Sequence, residues 1–132
     1  MVTVFSKTKS FIKVRTQFEG FHYYPDAGKI DNRIEFLEHR HRHMFHVCVK
    51  MSVTHQDREL EFFLVKWELD DFIKATFVSN TNMSCEMMAE EILSNHLIPL
   101  YGDTRDYTVT VSEDGEFDGI VEYQYLVNGY DN

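Results

Sequence analysis

The chain has no long apolar run. The longest, Phe62-Phe63-Leu64-Val65, is four residues, far below the roughly 20 that a membrane-crossing helix needs. Its first ten residues, MVTVFSKTKS, lack the continuous apolar core of a secretory signal, so a cytoplasmic location is expected. Basic residues are scarce as well, with 13 Lys and Arg against 22 Asp and Glu in 132 residues, a formal net charge of −9. That charge repels a nucleic-acid backbone and an anionic membrane surface, so neither is expected as a partner. Only two cysteines occur, Cys48 and Cys85. They make no disulfide framework and no C-x-x-C motif, and each reads as a buried small hydrophobe. Repeats, low-complexity tracts and internal boundaries are missing too, so a single domain over residues 1–132 is expected.

The chain does carry enough apolar residues for one core, 43% hydrophobic with 14% aromatic. Residues 10–19 alternate Ile12, Val14, Thr16 and Phe18 against Lys13, Arg15 and Gln17, the period of a half-buried strand. Residues 23–40, with Pro25, Gly28 and scattered Asp and Asn, read as a long connection with one helical turn near its end. Residues 41–53 return to period two. EFFLVKWELDDFIKAT has apolar residues at 62, 65, 69, 72 and 73, a helical spacing. Ser84 caps a second helix with Cys85, Met88, Ala89, Ile92, Leu93 and His96 inward, and Pro99 and Gly102 are expected to end it. Residues 107–113 and 119–127 form a hairpin about Gly115. The order is ββααββ, an α+β fold with a four-stranded antiparallel sheet and two helices on one face.

Four of the seven histidines fall between residues 39 and 46. On a strand, residues two apart share a side with Cα atoms roughly 7 Å apart, so His41 and His43 can both reach one metal ion while His46 points away. Three imidazoles with a fourth position open suit catalytic zinc. His22, just past the end of the first strand, is the best-placed third donor, because an antiparallel partner could bring it beside the second strand, and His39 is the reserve. Spacing alone leaves a second reading open, a solvated face of a histidine-rich strand, because Arg40, Arg42 and His46 share the opposite parity.

The segments FEGFH, HRHMFHVCV, LEFFLVK, MSCEMMAEEI and VTVSE, taken in order, resemble the 6-pyruvoyltetrahydropterin synthase and 6-carboxytetrahydropterin synthase family. The resemblance implies the tunnelling fold, with zinc held by His22, His41 and His43. It also implies a pterin ring anchored by Glu113, and trimers stacked into hexamers with sites between subunits. The anchor is sound chemistry, since one carboxylate accepts two parallel N–H bonds from the amidine-like edge of a pterin or guanine.

The departures from the family bear on catalysis. Leu37 stands where the family places its cysteine, with Glu35 and Glu38 as the nearby acids and the weak candidates for a catalytic role. The family's Leu-Asp-His segment after the first helix has no counterpart, and Asp70 and Asp71 read as helix surface. Proton transfer needs a positioned group of suitable pKa, so ordinary synthase activity is not expected. The favoured expectation is a zinc-containing homo-oligomer, trimer or hexamer, that binds a pterin- or purine-type heterocycle or nucleotide in a binding or sequestering role. The alternatives are a lyase or hydrolase acting on a pterin triphosphate or related nucleotide through the zinc, and an interaction protein that keeps only the fold.

Overall fold

The computed structural model describes residues 7–77, 82–127 and 130–131. It is α+β, with a four-stranded antiparallel sheet and three helices. Strand β1 (Ser10–His22) leads through 3-10 turns at Ala27–Lys29 and Asn32–Glu38 to β2 (His41–Val53). Helices α1 (Phe62–Phe77) and α2 (Cys85–Ile92) follow, and α2 runs on through a π turn at Leu93–Leu97 into α3 (Ile98–Tyr101). Strands β3 (Tyr107–Glu113) and β4 (Phe117–Tyr123) complete the sheet in the order β1-β2-β3-β4, and β5 (Leu126–Val127) pairs separately with β6 (Tyr130–Asp131). Among the described residues no helix is long and apolar enough to cross a membrane.

Alternation along the strands builds the core. Phe45, Val47, Val49 and Met51 of β2 and Tyr107, Val109 and Val111 of β3 are buried on one face. The helices close over that face with Val65, Leu69, Ile73 and Phe77 of α1 and Met88, Ala89 and Ile92 of α2. On α1, Thr16 of β1 donates to Asp70 at 2.5 Å and Lys66 pairs with the same carboxylate at 2.9 Å. Asp70 is thus a half-buried tie between helix and sheet rather than helix surface.

Several boundaries differ from the sequence reading. The first strand continues past residue 19 to His22, because its pairing with β2 is uninterrupted from Ser10↔Val53 to His22↔His41. The connection holds two 3-10 turns instead of one helical turn. Pro99 does not end the helix: it falls at the first turn of α3, where a missing N–H costs little, and the stop is Gly102 at φ 100°. The fourth strand starts at Phe117, two residues earlier than expected, and breaks after Tyr123.

Candidate metal centre

The β1–β2 register carries the candidate ligands to one end of the core face. His22 stands directly opposite His41, and Gly20 stands opposite His43. A Cβ on Gly20 would lie 2.9 Å from the Phe45 ring, so glycine lets that ring fill the floor beside the histidines. The three imidazoles meet edge to face, with centroids 4.5 Å apart for His22–His41, 5.0 Å for His22–His43 and 4.9 Å for His41–His43. One nitrogen from each lies within 4.8 Å of the other two, so the group can hold a metal ion.

The other nitrogen of each ring is engaged by an oxygen. His22 Nδ1 is 3.3 Å from the Met83 carbonyl, His41 Nδ1 is 2.8 Å from the His39 carbonyl, and His43 Nδ1 is 2.6 Å from an Asp114 carboxylate oxygen. Carbonyls and carboxylates only accept, so these contacts fit the tautomer with the hydrogen on Nδ1, which frees the Nε2 lone pair for a metal ion. Oxygens hydrogen-bonded to the far ring nitrogen commonly orient metal-ligating histidines in this way. Burial lowers the pKa of His22, with the Met83 carbonyl and Glu113 pulling the other way. His39, the reserve ligand, contributes its backbone carbonyl and not its ring.

Glu113 lies at the same end, opposite Phe45 in the β2–β3 register. Its Oε1 is 3.3 Å from His22 Nε2 and its Oε2 is 3.8 Å from His43 Nε2. The Cys85 thiol donates to Oε1 at 3.8 Å. Burial, then the Glu113 carboxylate, pushes that thiol up to about 12. Cys85 is therefore a buried neutral thiol beside the histidines, which the sequence reading took only for a small hydrophobe. Its placement comes from tertiary structure: the Ser84 cap, which accepts from Met87 N–H at 3.1 Å, starts α2 against β3 and β4, and no local pattern encodes that contact.

A cleft of about 560 Å³ opens beside the histidines. Tyr24, Pro25, Leu37 and Phe117 supply aromatic and apolar wall, and Glu86, Asp118 and Glu113 supply carboxylates. β4 reaches the helix start only because residue 119 is glycine: a Cβ there would lie 2.5 Å from Glu86 N. Leu37 lines this cleft. Glu35 and Glu38 do not. Glu38 instead accepts the Gly28 N–H at 2.7 Å, and Glu35 packs against the same glycine position. Compared with models of known protein families and with curated protein sequences, the chain matches none.

Proposed function

We propose that this chain is a zinc protein of the 6-pyruvoyltetrahydropterin synthase type that binds a planar pterin- or purine-like heterocycle and does not carry out the ordinary synthase reaction. The observation that carries the metal half is the meeting of His22, His41 and His43, one nitrogen of each within 4.8 Å of the others, with each Nδ1 against an oxygen of Met83, His39 or Asp114. Imidazole ligands suit zinc, copper, iron or nickel. Zinc is favoured because three imidazoles with a fourth position free is its common open arrangement. When bound, such an ion supplies Lewis acidity beside the cleft.

The heterocycle half is supported by the cleft. Its volume lies in the usual range for small-molecule sites, roughly 300–1,000 Å³, and Tyr24, Pro25, Leu37 and Phe117 offer flat or apolar surface to a ring. Three carboxylates favour a ligand edge rich in N–H donors, with Glu113 as the clamp. Against synthase chemistry stand Leu37 in place of a thiol and a Cys85 thiol held protonated by its surroundings. The tunnelling-fold assembly is part of the same reading.

Mass spectrometry of metal and small molecules released from native protein, purified without chelators, tests the proposal. Zinc equimolar with the chain and a co-purifying pterin or purine are expected. Metal-free protein, or metal content unchanged by His22→Ala, His41→Ala and His43→Ala, overturns it.

A further inference from the structure

We infer that Glu113 is an exchangeable fourth ligand, closing the metal centre when the cleft is empty and leaving the metal to clamp a heterocycle when one enters. The inference rests on the metal and heterocycle readings above and assigns Glu113 a second role. In a tetrahedral site with zinc–nitrogen bonds of about 2.0–2.1 Å, neighbouring donor atoms are about 3.3 Å apart. Glu113 Oε1 stands 3.3 Å from His22 Nε2, and Oε2 stands 3.8 Å from His43 Nε2. The carboxylate thus occupies ligand-to-ligand distance from two of the three donors. Glu113 is not among the residues whose donor atoms already lie within 4.8 Å of one another, so ligation would require its side chain to shift toward the histidine nitrogens.

The same carboxylate also faces the cleft. It lines the cavity with Leu37, Glu86 and Phe117 and takes the Cys85 thiol hydrogen on Oε1. A donor pair of N–H groups from a ring would use both oxygens at once, the same two oxygens that lie toward His22 and His43. Metal ligation and heterocycle clamping therefore compete for one group. With a metal held by His22, His41 and His43, release of Glu113 would leave room beside the ring for a water or an oxygen of the ligand. Consecutive residues serve the two nitrogens of one imidazole: Asp114 fixes His43 Nδ1 at 2.6 Å, while Glu113 stands at its Nε2 side. Ligand entry moves the second without disturbing the first.

Cobalt(II) loaded into the full chain reads this directly through its visible absorption, which follows the number and kind of ligands. Without heterocycle, Glu113→Gln and Glu113→Ala should each change the cobalt band and weaken zinc, measured by chelator competition, by at least the roughly tenfold to hundredfold that losing a group hydrogen-bonded to a ligand costs. Neopterin added to wild-type cobalt protein should shift the band toward that of Glu113→Ala. Unaltered spectra in both variants overturn the ligation whatever neopterin does. Neopterin that binds, by its own fluorescence, while the wild-type band stays fixed overturns the exchange. Altered variant spectra with no neopterin binding would support the ligation and remove the heterocycle reading, so the two failures are told apart.

Discussion

Asp114 takes φ 54° at the turn after β3, and that conformation turns its carboxylate back onto β2. One oxygen meets His43 Nδ1 and the other accepts the Met44 N–H at 2.9 Å. Those two bonds, the His43 one first, hold its carboxyl below the usual range. Asp114→Gly tolerates the positive φ and removes both carboxylate bonds, to the His43 ring and to the Met44 N–H. Zinc affinity should drop roughly tenfold to a hundredfold, and the metal-free protein should lose about 0.5–1.5 kcal/mol with the Met44 bond; equal affinities in chelator competition would refute the orienting role. His96 gives a separate test away from the histidine trio. It is buried with Nε2 unpartnered, stacks on Phe72 at 4.9 Å and lies edge-on to Tyr101, which donates to Glu68. Burial lowers its pKa from 6.5, with Glu68 opposing. Below pH 6.5 the unfolded chain takes up a proton that the folded chain refuses, so stability falls as pH drops from there toward the lowered folded value. His96→Phe should raise the midpoint at pH 7.5, since an unsatisfied buried polar group costs about 1–3 kcal/mol. It should also shallow the loss between pH 6.5 and 5 relative to wild type. Parallel pH curves for the two proteins would exclude His96 as the source.

At the scale of the elements, the end of the sheet that carries His22, His41 and His43 was the most legible part of the chain. Strand parity is strict, so His41 and His43 had to share a face with Phe45 and Val47, and a single antiparallel partner sufficed to bring His22 opposite. Helix ends were less legible. Pro99 is a stop signal in the middle of a helix and a neutral residue at the first turn, and which it is depends on the π turn before it. The helix side of the cleft wall was not legible, because Cys85, Glu86, Phe117 and Gly119 meet only through the packing of α2 on β4, whereas Leu37 and Glu113 on the same cleft already stand out in the sequence. That packing has a sharp test. With 2.5 Å to the Glu86 backbone nitrogen, Gly119→Ala must push β4 away from the helix start, costing about 1–3 kcal/mol as overpacking does. Ser84→Ala, which removes the α2 cap, should cost about 1 kcal/mol. Chemical denaturation measures both, and a neutral Gly119→Ala would mean that the strand and helix do not meet as closely as described.

For the whole molecule, the uncovered surfaces carry the remaining consequence. Among the described residues β1 and β4 each have one strand partner, so each leaves an edge of backbone donors and acceptors free. No described helix covers the face bearing Arg15, Gln17, His46, Cys48 and Thr110, and Ile120 on that face is 53% exposed. Exposed edges invite pairing with other chains. A second copy of the same chain is the economical partner, since ring closure consumes every edge and stops growth. Charge tempers this: a net −9 per chain adds repulsion with each subunit, so assembly should tighten as salt rises toward physiological strength and screens it. Sedimentation equilibrium should give a trimer or hexamer of the 15.7 kDa chain, with dissociation favoured at low ionic strength. Ile120→Lys, adding a charge to the uncovered face, should shift the balance toward smaller species while leaving the monomer's circular dichroism intact. A monomer at every concentration and salt would leave the edges open and overturn the proposed assembly.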